Sequence, residues 1–510
     1  MARSAGAAIA ALSCLILFAP LASRAAALAP AADAASRCAA LSTRDFAHID
    51  DAHSHVTSAQ LVAPSGSDPE FCKVMGEIEP HVGVELRLPA GDWNGKFVEV
   101  GCGGWCGMIF RQACTPALRR GYACVATDTG HKGTPTDAKW AQGNLQAQID
   151  FGYRGVHVAA VAGKAIAASY YGRPPGRAYF IGCSTGGYEG VMAAQRFPWD
   201  FDGIVAGAPD IDQTQANFRA LWFARAKRDA NGALLLGDKE LALLHAAALA
   251  LCDLDDGVKD GIIGNPLACR FRPASLRCRT EQATGCLTDP QVEAARKIYA
   301  GPTDGEGRPT STGSFLIGSE LGWKNEWPLD SLVDYFRYGY PGFTTGPDYK
   351  ASEFDFDRDY KRFGFATYYD NSNPDLRRFK AAGGKLIVYH GGTDTVDPPR
   401  PVIDYYETVE RTMGGRKSTQ DFFRLFLIPG MNHCSGGVGA LDVDWLSAIE
   451  GWVERSKPPS SIIGEHVGHG AEASFSRPLY PYPTYAKYKG RGDVNQAESF
   501  APAYAAAPRR

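Results

Sequence analysis

The sequence predicts an α/β fold in which helices cover both faces of a mostly parallel sheet. Short apolar runs typical of strands end in glycine turns at residues 82–88, 96–100, 122–127, 178–181, 203–206, 385–389 and 422–428. Helical stretches at 156–170 and 188–196 lie between some of these runs. Strands that alternate with helices in this way form parallel sheets covered on both sides.

The alternation stops between Ala208 and about Arg378. This part of the chain contains four cysteines, an acidic loop and an aromatic-rich tract. We therefore predict a lid domain at residues 209–378, inserted between a first core part at 28–208 and a second at 379–510. The tail after about Pro478, rich in Tyr, Pro and Ala, is predicted to pack as an extended strap or to fray.

Length and charge are compatible with one such core. A chain of 510 residues exceeds an ordinary domain but suits an α/β core with a large insertion. Its 53 basic and 56 acidic residues are fairly evenly mixed and give a formal net charge of −3. We therefore expect neither nucleic acid nor an anionic membrane as a partner.

Residues 1–27 are typical of a cleaved secretory signal: Arg3, then an apolar run from Ala5 to Ala22, then small residues. A retained membrane helix is the alternative, but it needs a longer and more apolar run. The protein is therefore expected to be secreted or periplasmic. Cys14 leaves with the signal. Twelve of the 13 cysteines then remain, and this even number favours disulfides over metal ligands.

Ser184 is the candidate nucleophile. The apolar run ending at Ile181 leads directly into Gly182-Cys183-Ser184-Thr185-Gly186, the G-x-S-x-G pattern of a nucleophile elbow. The pattern also arises by chance in glycine-rich chains, where it is only a structural turn, and this chain has 57 glycines. The strand before it and the helix after it favour the elbow, and with it an α/β-hydrolase core.

A serine nucleophile needs a base and an acid that orients the base, and in α/β-hydrolases these follow in the order Ser, Asp or Glu, His. Asp394 comes shortly after the predicted strand at 385–389, and His433 follows the one at 422–428. We assign Asp394 as the orienting acid and His433 as the general base. Asp397 is the alternative acid and His390 the alternative base.

Two cysteines strengthen this assignment. Cys183 immediately precedes the candidate nucleophile and Cys434 immediately follows the candidate base. If Ser184 and His433 touch, these neighbours fall within the ~4.4–6.8 Å between Cα atoms that a disulfide spans. We therefore predict a Cys183–Cys434 bond beneath the site.

The oxyanion hole requires two backbone N–H groups that point at the developing charge. One is expected from Thr185, the residue after the nucleophile, and the other from the glycine-rich loop at 101–107. We favour Gly104 in this loop, with Gly103 as the alternative; an ordinary glycine turn would need neither. Trp105 is the candidate contact for the acyl group, and His131 is expected to brace the loops.

An acidic loop in the predicted lid suggests a cation site. Asp253, Asp256 and Asp260 are interleaved with Gly257 and Gly261, and carboxylate and carbonyl oxygens are the ligands that calcium prefers. The loop lacks the final glutamate of an EF-hand. A solvated acidic turn is the alternative.

These motifs resemble the tannase and feruloyl esterase family of secreted serine esterases. The resemblance depends on Gly182–Gly187, Gly101–Trp105, Asp128–His131, the loop Asp253–Ile262 and Asn432–Cys434. It implies a triad of Ser184, Asp394 and His433. It also implies a structural calcium bound by the side chains of Asp253, Asp256 and Asp260 and the carbonyls of Val258 and Ile262.

Local proximity and the same resemblance suggest disulfides Cys252–Cys269 and Cys278–Cys286, and Cys38–Cys72 would fasten the N-terminal segment. The sequence leaves three pairings open among Cys102, Cys106, Cys114 and Cys124. Cys102 and Cys106 depart from the family pattern, because they flank the oxyanion glycines where small residues are more usual.

Family members cleave esters of aromatic or phenolic acids such as gallate, ferulate and mono(2-hydroxyethyl) terephthalate, so the resemblance implies a small aromatic ester as substrate. Thr185 departs from the acidic residue of the terephthalate-monoester hydrolases. The lid aromatics from Tyr335 to Phe343, with Arg337, are either a ring-binding surface or a packed helix end. Two other functions remain open: acyl transfer with the same triad, and a silent calcium-stabilised binding protein.

Overall fold

A mixed sheet forms the centre of the structure. The computed structural model describes residues 33–280, 284–310, 315–325, 329–339, 345–362, 368–468 and 473–504. The strands of the main sheet are β1 (Ser54–Val62), β2 (Phe71–Ile78), β3 (Val82–Pro89), β4 (Lys96–Val100), β5 (Ala123–Thr127), β6 (Arg177–Cys183), β7 (Gly203–Gly207), β8 (Lys385–Gly391) and β9 (Phe423–Ile428). Their order is β1-β2-β3-β5-β4-β6-β7-β8-β9. The pairs from β5 to β9 are parallel, and those from β1 to β5 are antiparallel.

Helices cover both faces of this sheet. The α-helices are α1 (Ala34–Ala40), α2 (Thr115–Arg119), α3 (Leu145–Ile149), α4 (Gly155–Tyr171), α5 (Thr185–Arg196), α6 (Gln213–Ala226), α7 (Asp238–Cys252), α8 (Asp289–Ala300), α9 (Leu329–Leu332), α10 (Phe356–Arg362), α11 (Arg377–Ala381), α12 (Arg400–Thr412), α13 (Arg416–Gln420) and α14 (Trp445–Arg455). Short 3-10 helices span Leu41–Thr43, Arg111–Cys114, Lys139–Ala141, Asp253–Asp256, Pro273–Leu276, Glu320–Lys324, Ala351–Glu353 and Ala497–Ser499, and π-helical turns span Asp150–Arg154 and Tyr335–Gly339.

Alternate residues of each central strand enter different hydrophobic clusters, because successive side chains point to opposite faces. On β6, Phe180 joins the cluster that contains Val191 of α5, and Tyr179 joins the one that contains Ile449 and Trp452 of α14. Burial on both faces explains why these strands are short continuous apolar runs.

The seven predicted strands are present as β3 to β9, within two residues at each end. The α/β class is therefore confirmed. Strands β1 and β2 were not predicted. β1 lies at the edge of the sheet, and most of its residues keep partial contact with solvent, so its sequence lacks the apolar run that identified the central strands.

The segment between β7 and β8 contains the residues of the predicted lid, 209–378. Its described parts contain helices α6 to α11 and no strand of the main sheet. One apolar cluster lies within it, around Phe223, Leu244 and Ile298. A second cluster joins Tyr335 and Phe336 to core residues of the glycine-rich loop. The inserted segment and the sheet belong to one compact unit, Ala34–Arg510.

The C-terminal part forms two small antiparallel hairpins, β10 (Ile462–His466) with β11 (Phe475–Leu479) and β12 (Thr484–Tyr488) with β13 (Phe500–Tyr504). The tail predicted as a strap is thus a hairpin up to Tyr504. Residues 505–510 and the predicted signal at 1–27 lie outside the described residues. Within the described chain, every helix is too short or too polar to cross a bilayer.

Candidate active site

Ser184 lies in a tight turn between β6 and α5. Its backbone angles, φ 62° and ψ −125°, belong to a sparsely populated region that a serine adopts only when its surroundings impose it. Small neighbours allow the turn: a Cβ on Gly182 would lie 2.6 Å from the carbonyl oxygen of Gly186. The G-x-S-x-G segment therefore has the geometry of a nucleophile elbow.

His433 and Asp394 lie on the loops that follow β9 and β8. Nδ1 of His433 is 2.8 Å from Oδ2 of Asp394, and Asp394 is fully buried. The other oxygen, Oδ1, accepts the backbone N–H groups of Val396 and Asp397 at 2.9 and 3.0 Å. This arrangement fixes the carboxylate and leaves Nε2 of the imidazole available for proton transfer.

The two groups shift each other's pKa values. Burial alone would raise the pKa of Asp394, but hydrogen bonds with His390 and His433 lower it to about 2. Burial alone would lower the pKa of His433, but the hydrogen bond to Asp394 and the nearby carboxylates raise it to about 9. The imidazole is therefore an unusually strong base in this setting.

The alternative acid and base occupy different positions. Oδ2 of Asp397 is 3.9 Å from Nε2 of His433, on the side opposite to the nitrogen that contacts Asp394. His390 is fully buried, with Nε2 2.7 Å from the carbonyl oxygen of Asp397 and 3.4 Å from Oδ2 of Asp394. Neither has the geometry of the role for which it was the alternative.

A disulfide joins the nucleophile loop to the histidine loop. Cys183 and Cys434 are bonded, with 5.9 Å between their Cα atoms. The bond connects residues 251 positions apart in sequence. It therefore ties the turn that carries Ser184 to the loop that carries His433.

The glycine-rich loop after β4 lies against the elbow. Thr185 is the first residue of α5, and its Oγ1 donates to the carbonyl oxygen of Gly104 at 2.7 Å. Gly104 has φ +57°, and a Cβ there would overlap the carbonyl oxygen of Pro135. Among the described residues, no acceptor is bonded to the backbone N–H of Thr185 or of Gly104. Both donors remain available to an oxyanion.

Glu189 was not singled out from the sequence. It lies on α5, fully enclosed, and its Oε2 accepts the backbone N–H of Cys102 at 3.0 Å. Burial raises its pKa to about 8. Its position five residues after the nucleophile, in an otherwise apolar helix face, is the signal that points to this bracing contact. A Cβ on Gly101 would lie 2.7 Å from the same oxygen, so the loop needs glycine there.

Trp105 lines the cleft in front of Ser184, together with Pro135, Leu332 and Val396. Its backbone is held on both sides: its N–H donates to the carbonyl oxygen of Pro135 at 2.8 Å, and its carbonyl oxygen lies 2.7 Å from Nε2 of His131. His131 in turn stacks on Trp140. The indole of Trp105 is thus a fixed flat surface beside the nucleophile.

Known proteins resemble this chain along most of its length. A family model described as "Tannase and feruloyl esterase" matches residues 67–333 and 343–503. The chain belongs to the tannase and feruloyl esterase family. Mono(2-hydroxyethyl) terephthalate hydrolase of Piscinibacter sakaiensis is 34% identical over 87% of this chain and 86% of its own. A probable feruloyl esterase of Arthroderma benhamiae is 33% identical over 86% and 87%. The protein is a carboxylic ester hydrolase.

Solved structures of family members show the same fold. Feruloyl esterase B from Aspergillus oryzae superimposes with a TM-score of 0.82 and 25% identity, over 92% of this chain and all of that one. Tannin acyl hydrolase from Aspergillus niger, at 21% identity, has a TM-score of 0.76 over 92% and 94%. The predicted α/β-hydrolase fold with a large insertion is therefore confirmed.

The aromatic tract of the inserted segment packs against the glycine-rich loop that follows β4. The ring of Tyr335 lies 5.9 Å from that of Trp105, at 13° between their planes, and its hydroxyl is 2.6 Å from Oγ1 of Thr214. Phe336 is fully buried. Arg337 donates to the carbonyl oxygen of Tyr349 and pairs with Asp334. Tyr340 and Phe343 lie outside the described residues.

The acidic loop supplies hard oxygen ligands of the kind calcium prefers. Asp253 and Asp256 are buried, and their described hydrogen bonds come only from backbone N–H groups. Asp260 instead pairs with Arg477 at 2.7 Å. Among the described residues, the three carboxylates of this loop do not form a cluster of ligand atoms within 4.8 Å of one another. The chemistry of the donor atoms fits calcium, and their spacing is wider than in such a cluster.

The other cysteines in the described part of the chain are all paired. The disulfides other than Cys183–Cys434 are Cys38–Cys72, Cys102–Cys106, Cys114–Cys124, Cys252–Cys269 and Cys278–Cys286. The pairing that the sequence left open is thus Cys102 with Cys106 and Cys114 with Cys124. The Cys102–Cys106 bond closes a small ring around Gly103, Gly104 and Trp105 and so restrains the glycine-rich loop covalently.

Proposed function

We propose that this protein is an exported serine esterase that hydrolyses esters of aromatic or phenolic acids through Ser184, His433 and Asp394. The observation that carries the proposal is the 2.8 Å contact between His433 and the buried Asp394, with the loop of His433 tied to the nucleophile elbow by the Cys183–Cys434 disulfide. A base oriented by a buried carboxylate beside a serine elbow is the arrangement of acyl-transfer enzymes.

In the acylation step, Oγ of Ser184 attacks the ester carbonyl carbon while Nε2 of His433 takes the hydroxyl proton. Negative charge develops on the carbonyl oxygen, where the N–H groups of Thr185 and Gly104 stabilise it. When the intermediate collapses, the bond to the alcohol oxygen breaks. The imidazolium of His433 gives its proton to that oxygen, and the alcohol leaves an acyl group on Ser184.

Deacylation repeats these steps with water. His433 takes a proton from water, whose oxygen attacks the acyl carbon, and the same N–H groups stabilise the second oxyanion. The proton then returns to Oγ of Ser184 as the free acid departs. Asp394 stays ionised throughout, because its lowered pKa of about 2 keeps the carboxylate charged beside the imidazolium.

An aromatic acyl group suits the cleft because Trp105 presents a fixed ring next to the nucleophile. Its stacking on Tyr335 leaves little freedom for the indole to turn. Flat rings gain about 0.5–1.5 kcal/mol from offset or edge contacts beyond area burial. Relatives whose names specify feruloyl and terephthalate esters support the same acyl class.

We further propose a structural calcium ion held by Asp253, Asp256 and Asp260 with the carbonyls of Val258 and Ile262. The burial of two carboxylates within one loop supports it, since a buried charge requires a partner. The ion would stabilise the inserted segment. Export to the periplasm or the medium is proposed from the signal-like N-terminus and supported by six disulfides.

The proposal is tested with methyl gallate, methyl ferulate and methyl butyrate on the mature protein. We expect higher kcat/KM for the two aromatic esters than for methyl butyrate. Ser184→Ala should lower kcat by about 10⁴ or more without unfolding the protein, and a fluorophosphonate probe should label only the wild type. Product analysis with added alcohols separates hydrolysis from acyl transfer.

Trp105→Ala tests the aromatic surface, with Trp199→Ala as its matched control. Trp199 is 59% exposed and does not belong to the described cleft lining. The preference for aromatic esters should shrink in Trp105→Ala and persist in Trp199→Ala. Full activity in Ser184→Ala would disprove the mechanism, and equal rates on all three esters would disprove the aromatic preference.

A further inference from the structure

The cleft at Ser184 carries two acidic side chains that the triad does not use. Asp210 and Asp397 line it, and among the described lining residues they are the only charged ones. Gln213 and Asn217 of α6 line the same cleft. The described wall of the cleft is thus rich in hydrogen-bonding groups and contains no basic side chain.

The carboxylate of Asp397 faces the imidazole of His433. Oδ2 lies 3.9 Å from Nε2 of His433, and the side chain is 17% exposed. Within the described chain no group donates a hydrogen bond to this carboxylate. The backbone of Asp397 is occupied separately: its N–H donates to Asp394, and its carbonyl oxygen lies 2.7 Å from Nε2 of His390. The side chain is therefore not needed to hold the loop.

Asp210 is almost completely buried beside it. Its Oδ1 lies 3.2 Å from Nη2 of Arg219, which offsets part of the negative charge. Burial raises the pKa of Asp397, and burial together with the charge of Asp397 raises that of Asp210. Both carboxyl groups offer oxygen acceptors to a hydroxyl group in the cleft.

The position of Asp397 relates it to the alcohol half of the ester. In the proposed mechanism Nε2 of His433 gives its proton to the departing alcohol oxygen, which must lie within about 2.6–3.2 Å of that nitrogen. Asp397 lies next to the same nitrogen. A hydroxyl on the neighbouring carbon of the alcohol therefore falls beside the free carboxylate.

We propose that Asp397, supported by Asp210, forms a leaving-group subsite that binds hydroxyl groups on the alcohol half of the substrate. This inference rests on the proposed esterase function and deepens it. The chemical class of leaving group is a polyhydroxylated alcohol such as a glycol, glycerol or sugar, in preference to a plain alkyl alcohol. An alcohol that carries its own carboxylate is disfavoured by repulsion.

The test compares 2-hydroxyethyl benzoate with propyl benzoate, which have the same acyl group and similar size. We expect the wild type to favour the hydroxyethyl ester in kcat/KM by about tenfold, the effect of one hydrogen bond to a charged group. In Asp397→Leu this ratio should fall to about one, and in the isosteric Asp397→Asn to an intermediate value. Asp397→Asn should also raise kcat/KM for the benzoyl ester of glycolate.

Asp212→Asn is the matched control. Asp212 accepts the N–H of Gln215 as the N-cap of α6, a role that asparagine fills equally well, and it does not line the described cleft. In this variant the ratio of kcat/KM between the hydroxyethyl and propyl esters should equal that of the wild type. The ratio distinguishes binding of the hydroxyl group from a general effect of Asp397 on the basicity of His433, since the general effect lowers the rates on both esters equally.

The outcomes separate this inference from the function it builds on. Equal wild-type rates on the two esters, or an unchanged ratio in Asp397→Leu, overturn the subsite while the esterase function stands. Hydrolysis of neither ester, or hydrolysis that survives in Ser184→Ala, overturns the proposed function and the subsite together.

Discussion

The sheet and the segment inserted into it hold their functional residues by different means. In the sheet, the candidate triad residues follow the carboxyl ends of the parallel strands β6, β8 and β9, and a disulfide ties two of their loops. In the inserted segment the described residues are helices and loops, joined by aromatic clusters, short-range disulfides and an acidic loop. The candidate catalytic residues therefore lie on loops of the sheet, and the inserted segment forms one wall of the cleft.

This difference separates what governs rate from what governs choice of substrate. Strand ends in a parallel sheet fix positions to within a fraction of an ångström, which proton transfer requires. The insertion contacts the site through Tyr335 on Trp105 and through α6 in the cleft wall. Changes in the sheet loops should therefore affect kcat, whereas changes in the insertion should affect selectivity or stability.

The largest effect is expected from the two aspartates three residues apart in the loop after β8. Asp394→Asn removes the acceptor that orients His433, and it should lower kcat by about 10⁴. Asp397→Asn keeps that contact and should lower kcat on a simple methyl ester by less than about tenfold. Steady-state kinetics on the purified variants measures both. A larger loss in Asp397→Asn would exchange the roles of the two residues.

The next effect is the pH dependence of kcat/KM. His433 accepts a proton only when neutral, so activity should fall as the pH drops below its pKa. Asp394 and the nearby carboxylates raise that pKa to about 9, from 6.5 for an ordinary histidine. The rising limb of the profile should therefore lie above pH 6.5, and Asp397→Asn should shift it to lower pH. A limb at or below 6.5 in the wild type would contradict the stabilisation of the imidazolium of His433 by these carboxylates.

The sequence predicted the sheet side of this comparison better than the insertion. Strands β3 to β9 are buried on both faces, so their apolar runs identify them, and the elbow at Ser184 has a local pattern. Glu189 and Asp210 have no such pattern: each matters because the fold brings it to a loop or cleft formed by distant segments. The pairing of Cys102, Cys106, Cys114 and Cys124 could not be predicted either, since their spacing allows three pairings and only the fold brings the bonded sulfurs together.

One disulfide of the sheet loops can be compared with one of the inserted segment. Cys183–Cys434 closes a loop of 251 residues and Cys278–Cys286 one of 8, for which loop-closure entropy gives about 5.5 and about 2.5 kcal/mol. Replacing each pair by serine should therefore lower Tm about twice as much for the first pair. The first replacement should also lower kcat, because it frees the histidine loop from the elbow. Calorimetry and kinetics on both double variants test this. An equal loss of kcat in both variants would show that Cys183–Cys434 has no special effect on the active site.

The smallest expected effect is on the inserted segment alone. If calcium occupies the loop at about 100 times its dissociation constant, its binding contributes ~2.7 kcal/mol. Chelation should then lower Tm by roughly 3 °C, because an unfolding entropy of about 2.1 cal/mol/K per residue applies to the whole compact unit Ala34–Arg510. The triad loops contain none of the proposed ligands, so kcat at 25 °C should be unchanged after chelation.

Asp256→Asn should abolish the response of Tm to calcium, and Asp255→Asn, which alters an exposed carboxylate of the same loop, should retain it. A Tm that is indifferent to chelation would leave Asp253, Asp256 and Asp260 as an acidic turn held by backbone N–H groups and Arg477.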